Sequence, residues 1–425
     1  MTEFYENSQS PERAVLISVD TGEYNTELSL YELEELAKTA GAEVFCTLEQ
    51  NRERPDNATY LGSGRLKELT ELCEANDIDL IIADSELTPA QQRGLEAATK
   101  LRVIDRTTLI LDIFALNARS GEGKLQVELA QLKYLLPRLS GRGASLSRLG
   151  GGIGTRGPGE SKLESDRRHI RRRIHSLEEA LRALEMRRAR HRSRRKKDGV
   201  TTVAIVGYTN AGKSTLLNSL TEAGVLAENK LFATLDPTSR ALKLPDGRQV
   251  LLIDTVGFIS RLPHKLIEAF KSTLEELKDA DLLLNVCDAS AADYIEQERV
   301  TKDILKELEA DSIPIITVYN KCDIADDLYS LPDNNHTVKI SALKGIGIDT
   351  LLDKTAKALP PTRKRFLLLL PFTQGSLAAE IRRVGAVHHE EYQADGLFMD
   401  AVLDINYLDR IKEFIVNPEE SEELK

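Results

Sequence analysis

Short apolar runs alternate with amphipathic stretches between residues 14 and 115. The runs AVLISVD, AEVFCTLEQ, IDLIIAD and LRVID predict strands, and LYELEELAKTA, LKELTELCEA and PAQQRGLEAA predict helices between them. Strands that alternate with helices are typical of a parallel sheet. The pattern predicts an N-terminal α/β subdomain over 1–115. Its LGSGR stretch at 61–65 could present backbone amides to a phosphate, but a simple turn is the favoured interpretation of a lone GxG.

The period changes to heptads between residues 116 and 199. Leucines or isoleucines step by four and three along two segments: Leu125, Leu129, Leu132, Leu136 and Leu139, then Ile170, Ile174, Leu177, Leu181 and Leu184. Two such seams separated by a loop predict an antiparallel helical hairpin. Pro137 predicts a kink or an end near the close of the first helix.

The hairpin segment carries most of the positive charge of the chain. The whole chain has a net charge of −11, but residues 138–197 hold 19 Lys and Arg against 6 Asp and Glu. The connecting loop at 140–161 is rich in glycine and longer than helix connections usually are. Five arginines are candidate RNA contacts: Arg142, Arg148, Arg156, Arg171 and Arg172. A solvated tip without a partner is the alternative interpretation.

The remaining sequence indicates two further domains in a chain of 425 residues. Strands and helices alternate again over 200–360, and residues 361–425 predict a small α+β domain after Pro360 and Pro361. The fold class is therefore multidomain α/β. No apolar run is long enough to span a membrane, and the polar first residues lack the pattern of a secretory signal, so we expect a cytoplasmic protein. Four scattered cysteines favour reduced thiols over disulfides or zinc.

GYTNAGKS at 207–214 matches the phosphate-binding pattern GxxxxGK[ST] between a predicted strand and a predicted helix. Lys213 is expected to bridge the β- and γ-phosphates, and the Ser214 hydroxyl to bind Mg²⁺. DTVG at 254–257 follows another apolar strand. Asp254 is expected to hold Mg²⁺ through water, and the Gly257 amide to reach the γ-phosphate.

NKCD at 320–323 predicts guanine selectivity. The Asp323 carboxylate can accept two hydrogen bonds from guanine, whereas adenine would leave that charge unpaired. Asn320 is expected to tie this loop to the phosphate loop, Lys321 to lie along the base, and the Ala342 amide of SAL to reach guanine O6. Between the phosphate loop and DTVG, LFATLDPT offers Thr234 and Thr238 as switch threonines, and spacing alone does not choose between them.

Phe258 stands where many GTPases place a water-orienting glutamine. A phenyl ring can neither orient water nor accept its proton, so we expect slow hydrolysis until a partner assists. Asn210 adds the hypothesis that K⁺ supplies positive charge beside the phosphates.

The chain resembles the HflX family of ribosome-associated GTPases. The resemblance rests on GYTNAGKS, LFATLDPT, DTVGF and NKCD, and more specifically on LILDIFALNARSGEGKLQVELAQLKYLLPRL and LGGGIGTRGPGES. It implies Thr234 as the switch threonine and a Mg²⁺ ligand together with Ser214, with Lys213, Thr234 and Gly257 as the catalytic set. It also implies binding to the large ribosomal subunit, stimulation by that subunit and dissociation of stalled ribosomes under stress. Phe258 fits the family pattern.

The full set of expected GTP or GDP contacts follows these motifs. It comprises Gly207, Tyr208, Thr209, Asn210, Ala211, Gly212, Lys213, Ser214 and Thr215; Phe232, Ala233, Thr234, Leu235 and Asp236; Asp254, Thr255, Val256 and Gly257; Asn320, Lys321, Cys322 and Asp323; and Ser341, Ala342 and Leu343.

Three function classes compete. The leading hypothesis is a monomeric GTPase that docks its hairpin on ribosomal RNA of the large subunit. An RNA-remodelling protein with ATP-linked activity in the N-terminal domain is the alternative, although residues 1–199 contain no second GxxxxGK[ST]. A membrane-linked signalling GTPase lacks a lipidation motif or anchor.

Overall fold

The computed structural model describes residues 11–139, 162–197, 200–221, 231–232, 238–261, 263, 266, 275–325, 327–359, 363–404 and 407–416. Some sequence predictions fall outside these ranges. They concern the loop at 140–161 with Arg142, Arg148 and Arg156, the residues Ala233, Thr234, Leu235 and Asp236, and the pair Pro360 and Pro361.

The first α/β unit contains four parallel strands in the order β2-β1-β3-β4. The strands are β1 (Arg13–Asp20), β2 (Glu43–Asn51), β3 (Leu80–Ala83) and β4 (Arg102–Asp105). The helices are α1 (Thr26–Thr39), α2 (Ser63–Ala75), α3 (Pro89–Thr99) and α4 (Arg106–Asn117). Each strand and each of the first three helices coincides with a run predicted from the sequence.

Side-chain caps begin three of these helices. Asn25 accepts the amide of Leu28 at the start of α1, and Thr88 forms a capping box with Gln91 at the start of α3. Asp105, the last residue of β4, accepts the amide of Thr108 and so begins α4 directly after the strand.

Helix α4 was not predicted from the sequence, and it extends past the residue at which the hairpin segment was expected to begin. The heptad pattern places the hairpin at 116, whereas α4 runs to Asn117 and the first hairpin helix begins at Gly121. Seven of the twelve residues of α4 are buried, on several sides of the helix. A helix that is apolar on several sides has no amphipathic period to detect.

The hairpin consists of α5 (Gly121–Arg138) and α6 (Lys162–Lys197). The predicted seam positions of α6 face inward, since Leu177 is buried and its seam neighbours are half-buried. Ion pairs join the two helices, among them Lys133 with Glu178 at 2.8 Å and Arg188 with Glu122 at 2.7 Å. Pro137 lies one residue before the end of α5, as predicted.

The second α/β unit is a six-stranded sheet in the order β10-β9-β8-β5-β7-β6. Its strands are β5 (Thr202–Gly207), β6 (Thr238–Lys243), β7 (Gln249–Asp254), β8 (Leu282–Asp288), β9 (Ile315–Asn320) and β10 (Thr337–Lys339). Only β6 runs antiparallel to its neighbour. Its helices are α7 (Lys213–Thr221), α8 (Tyr294–Glu307) and α9 (Ile348–Ala358). The phosphate loop, DTVG and NKCD thus follow β5, β7 and β9 at the same edge of the sheet.

The third unit is an antiparallel sheet in the order β11-β13-β12. It contains β11 (Arg363–Leu370), β12 (Ala386–Gln393) and β13 (Gly396–Asp404), with α10 (Gly375–Val384) and α11 (Leu408–Ile411). This arrangement agrees with the α+β expectation. Within the described ranges, no helix has the length and apolar character needed to cross a bilayer. The predicted boundaries at 115, 199 and 360 stay predictions.

A buried polar cluster joins the root of the hairpin to the first unit. The Asp105 carboxylate accepts the hydroxyl of Tyr134, the amide of Leu87 at 3.1 Å and the Arg138 guanidinium at 3.2 Å. Burial and the nearby Asp105 charge raise the pKa of Tyr134, which keeps the phenol protonated as a donor.

Tyr134→Phe is expected to destabilise the protein by about 1–2 kcal/mol, because Asp105 would lose a donor inside the protein. Thermal or urea unfolding of the full chain measures the change. Tyr31→Phe is the matched control, since Tyr31 is 67% exposed on α1. Equal stability of the two variants would contradict this role for the hydroxyl.

Candidate nucleotide site

The phosphate loop connects β5 to α7 and depends on glycine at two positions. Gly207 has φ +138°, and an added Cβ would lie 2.2 Å from the Val286 carbonyl oxygen. Gly212 has φ +94°, and its Cβ would lie 2.2 Å from Asn320 Nδ2. Only glycine fits such close approaches without displacing the neighbouring strands. The loop leads directly into the first turn of α7, where backbone amides favour phosphate.

Lys213 is buried within this loop. Its Nζ donates to the carbonyls of Gly207 at 3.1 Å and Tyr208 at 2.6 Å. Burial lowers the pKa of Lys213 to about 8, although the charge of Asp254 acts in the opposite direction. The ammonium group is thus held at the loop where phosphate oxygens would offer stronger acceptors.

Ser214 and Asp254 bring two oxygen ligands together beside the loop. Ser214 Oγ donates to Asp254 Oδ2 at 3.0 Å, and Asp254 is fully buried at the end of β7. A hydroxyl next to a carboxylate is the oxygen-only donor set that Mg²⁺ prefers. The arrangement fits Mg²⁺ bound by Ser214, with Asp254 holding a metal-bound water.

The DTVGF segment is hydrogen-bonded to the phosphate loop. The Thr209 amide donates to the Phe258 carbonyl at 2.7 Å, and the Phe258 amide donates to the Gly207 carbonyl at 3.0 Å. A Cβ on Gly257 would lie 2.9 Å from both Lys213 Nζ and Thr209 Cα. Glycine at 257 therefore lets DTVGF approach the loop closely, as the predicted contact of its amide with a γ-phosphate would require.

The Phe258 side chain is 2% exposed. It belongs to the same apolar cluster as Val206, Leu277 and Leu305. The ring therefore contributes to the core and presents no polar atom to an attacking water.

The guanine-recognition loops meet at Asn320. Its Nδ2 donates to the Ala211 carbonyl at 2.8 Å, which is the link to the phosphate loop that the sequence predicts. Its Oδ1 accepts the Ala342 amide at 2.9 Å. The Ala342 amide therefore already has an acceptor. To contact guanine O6 as expected, it would have to share its hydrogen between O6 and Asn320 Oδ1, or leave Asn320.

Asp323 has the charge state that guanine recognition requires. A hydrogen bond from the Ser341 hydroxyl is the main cause that lowers the pKa of Asp323 below its usual value. The Lys344 ammonium, with Nζ 3.2 Å from Asp323 Oδ2, lowers it further. Lys321 is paired with Asp288 at 2.6 Å, at the end of β8. Leu343 is 82% exposed beside these residues.

The two candidate switch threonines differ in position. Thr238 begins β6 and is paired with Asp254 of β7 in the antiparallel ladder, so its backbone is fixed in the sheet. Thr234 lies outside the described residues. Its assignment as the Mg²⁺ ligand stays a prediction.

The first α/β unit contacts this site through a set of buried charges that the sequence motifs did not indicate. The Glu32 carboxylate of α1 accepts the Tyr208 hydroxyl, the Arg106 guanidinium and the Ser260 hydroxyl, the last at 2.6 Å. The Tyr208 hydroxyl also accepts the Ser260 amide at 2.7 Å. Glu32 therefore joins the phosphate loop to the segment that follows DTVGF.

A second carboxylate, Asp84, extends this set. It is fully buried and accepts Arg106 at 3.1 Å and Arg261 at 2.6 Å. The Arg261 guanidinium also lies 3.7 Å from the centre of the Tyr24 ring. Burial alone would lower the pKa of Arg106, but the charges of Glu32 and Asp84 outweigh it and raise the pKa. We call Glu32, Asp84, Arg106 and Arg261 the charge cluster.

Apolar side chains continue across the same boundary. Tyr208, Phe232, Val256 and Ile259 belong to one apolar cluster with Leu33, Ile110 and Phe114 of the first unit. The sequence offered one signal for this contact, namely Arg106 as the one basic residue in the largely apolar stretch 103–118, which also carries Asp105 and Asp112. Glu32, Asp84 and Arg261 had no comparable signal.

The RNA candidates are only partly described. Arg171 and Arg172 are exposed on α6. Arg142, Arg148 and Arg156 lie outside the described residues, so no distance relates them to one another.

The fold and the site define a P-loop GTPase, a hydrolase of GTP that uses Mg²⁺. Family models match residues 27–115 as "GTP-binding GTPase N-terminal", 117–195 as "GTP-binding GTPase Middle Region" and 202–321 as "50S ribosome-binding GTPase". The chain is 50% identical over 412 residues to GTPase HflX of Caldanaerobacter subterraneus, covering 97% of this chain and 96% of that protein. It is 41% identical over 397 residues to GTPase HflX of Escherichia coli, covering 92% and 93%. The chain belongs to the HflX family.

Among solved structures, a GTP-binding protein from Sulfolobus solfataricus in complex with GDP is 27% identical. The match covers 82% of this chain and 98% of that chain with a TM-score of 0.44.

Gly257→Ala is expected to weaken GTP and GDP binding at least about tenfold, because the methyl group would displace Thr209 and Lys213 from their present contacts. Equilibrium binding of fluorescent nucleotides measures this. Gly64→Ala serves as the control, since its added Cβ would meet nothing within 4 Å. Unchanged affinity in Gly257→Ala would show that the loop accommodates the methyl group.

Asp84→Asn is expected to lower the free energy of unfolding by about 3 kcal/mol, because it leaves Arg106 and Arg261 with one carboxylate fewer in a buried place. Chemical denaturation of the full chain checks the size. Asp77→Asn, at an exposed position of the same unit, is the matched control. A loss no larger than that of the control would mean that water or other groups compensate the arginines.

Proposed function

We propose that this GTPase docks on the large ribosomal subunit through its basic hairpin and dissociates or rescues stalled ribosomes under stress. The observation that carries the proposal is the family model described as "50S ribosome-binding GTPase", which matches 202–321. The charge of the hairpin supports it independently, because a strongly basic element with arginines at its surface favours ribosomal RNA.

The buried ring of Phe258 supports stimulation by the ribosome. At the position after DTVG, this chain offers no side chain that could orient the attacking water. Hydrolysis is then slow in the free protein and accelerates when the large subunit supplies or orders the missing group.

In this proposal the nucleotide is held by the residues of the four motifs. Lys213 would neutralise phosphate charge, Ser214 and Thr234 would hold Mg²⁺, and Asp254 would bind it through water. When bound there, Mg²⁺ would supply positive charge against the phosphates. The Gly257 amide and Thr234 sense the γ-phosphate, and Asp323 selects guanine. We also propose that Asn210 helps to hold K⁺, which would supply positive charge beside the phosphates.

The proposal also covers the organisation of the chain. It assigns an N-terminal subdomain to 1–115, the hairpin to 116–199 with its tip at 140–161, the GTPase domain to 200–360 and a C-terminal domain to 361–425. It describes a cytoplasmic monomer whose partner is the large subunit with its RNA.

The ATP-linked alternative has less support. The Gly62 amide, at the start of α2, donates to Gln50 Oε1 at 2.8 Å, so this group of the GSG stretch already has an acceptor. The GSG stretch therefore offers a phosphate one amide fewer than its sequence suggests.

Replacing Arg148 and Arg156 together with alanine is expected to weaken binding to the large subunit at least about tenfold at ~0.15 M salt, because each arginine lost removes a phosphate contact. Intrinsic GTP turnover should stay unchanged. The measurements are co-sedimentation and GTP turnover of the protein alone, with small subunits and with large subunits.

Arg54→Ala with Arg299→Ala is the matched control, since both arginines are exposed outside the hairpin. Selective stimulation by large subunits that the hairpin variant loses and the control keeps supports the proposal. Absence of stimulation by either subunit would refute it and favour the RNA-remodelling alternative.

A further inference from the structure

The strand order of the first α/β unit reverses between β1 and β3. From β1 the chain continues to β2 on one side of the sheet, and then crosses to β3 on the other side. Open parallel sheets bind ligands outside the carboxyl ends of their strands at such a reversal. Asp84 directly follows β3, and Tyr24 lies between β1 and α1. The topology therefore brings these two side chains to the place where this kind of sheet binds a ligand.

The guanidinium group of Arg261 occupies this place. Its Nη1 donates to Asp84 Oδ2 at 2.6 Å and to Ser29 Oγ at 2.7 Å, and its Nη2 donates to Ser85 Oγ at 2.9 Å. The centre of the Tyr24 ring lies 3.7 Å from Arg261 Cζ. A carboxylate, hydroxyl oxygens and an aromatic face are groups that recognise a planar guanidinium. All four contacting residues belong to the first unit, whereas Arg261 belongs to the second.

The first unit holds these groups in place through its own hydrogen bonds. The buried Asp84 carboxylate accepts the Ser29 hydroxyl at 2.8 Å and the Arg106 guanidinium at 3.1 Å. The Tyr24 hydroxyl donates to Asp84 Oδ2 at 3.4 Å. None of these bonds involves the second unit. The carboxylate and the ring therefore keep their positions when Arg261 is absent.

Arg261 reaches the site from a strained backbone. Its φ is +55°, a region that residues other than glycine rarely adopt. Its side chain is 28% exposed, while that of Asp84 is fully buried. The cost of this conformation must be offset by contacts. The guanidinium contacts, rather than a local backbone preference, therefore hold Arg261 in this conformation.

We propose that the first α/β unit contains a guanidinium-binding site, formed by Tyr24, Ser29, Asp84 and Ser85, with Arg261 as its built-in ligand. The site is separate from the nucleotide site, because none of its four residues lies in a GTPase motif. It binds the segment after DTVGF to the first unit as a receptor binds a ligand. When Arg261 is removed, the site binds a small guanidinium compound in its place.

Charge and shape together make the vacant site selective. Without Arg261, the carboxylates of Glu32 and Asp84 share a single guanidinium partner, Arg106, so the site attracts a cation. A compact ammonium group provides the charge, but it lacks the flat face and the fork of donors that match the ring and the three oxygen acceptors. A urea provides the shape without the charge. The vacant site is therefore expected to prefer guanidinium over both.

The experiment titrates the full chain of Arg261→Ala with methylguanidinium chloride, under a constant excess of GDP and Mg²⁺. Ligand-observed NMR measures binding, and thermal unfolding in the same solutions measures stabilisation. We expect a Kd of about 1–10 mM and a rise in the unfolding midpoint of about 1–4 °C at ~20 mM ligand. Methylammonium chloride and methylurea at equal concentrations should bind at least about fivefold more weakly. Wild type should bind at least about tenfold more weakly, because Arg261 fills its site.

Three further variants locate the bound ligand. Arg54→Ala is the matched control, since Arg54 is exposed in the first unit and lies outside the site, so this variant should behave as wild type. Adding Tyr24→Leu to Arg261→Ala removes the aromatic face and should weaken methylguanidinium binding at least about fivefold. Arg261→Gln removes the charge but keeps a long polar side chain, and it takes the place of the alanine variant if that variant does not fold.

Two kinds of result would overturn the proposal. The first is no binding of methylguanidinium to the Arg261 variants, or binding equal to that of wild type. The second is binding that methylammonium matches or that Tyr24→Leu leaves unchanged, since the ligand would then be a general cation or would lie elsewhere. The measurements involve neither ribosomes nor GTP hydrolysis, so their outcome is independent of the proposed function.

Discussion

Two carboxylates and two guanidinium groups are paired where the first α/β unit meets the phosphate loop, and only the Arg261 side chain among them is as much as 28% exposed. Asp84 is fully buried, the Arg106 side chain is 3% exposed and that of Glu32 is 12% exposed. Removing each such ion from water costs several kcal/mol, and only close pairing offsets this cost. The cluster contains two charges of each sign, so it is neutral only when Arg261 of the second unit is in place. The contact between the two units therefore depends on this pairing.

The apolar contacts beside the cluster do not impose the same restriction. Side chains such as Ile110 and Phe114 could pack against a neighbouring apolar surface in more than one way. The hydrogen bonds from Arg106 to Glu32, Asp84 and the Ser260 carbonyl allow one arrangement. The charge cluster thus contributes specificity of position to the contact between the two units.

The sequence predicted the elements whose signals are local. The strands of the first unit, the heptad seams and the order of the GTPase motifs follow from periodicity and spacing, and Asn320 bonds to the phosphate loop as its motif implied. Helix α4 was missed because it is buried on several sides and so has no amphipathic period. Glu32 was missed for a different reason, since its partners Tyr208 and Ser260 lie 176 and 228 positions away. No pattern within a single sequence links residues at such separations.

The same distant contacts explain why the phosphate loop has two supports. On one side, Asn320 holds the Ala211 carbonyl, which keeps the loop in register with the guanine-recognition loops. On the other side, Glu32 holds the hydroxyl of Tyr208, whose carbonyl accepts Lys213. The Tyr208 hydroxyl in turn accepts the Ser260 amide, so a displacement of the segment after DTVGF changes the hydrogen bonding of a phosphate-loop residue. Since one support belongs to the second unit and the other to the first, the geometry around Lys213 is a property of both units together.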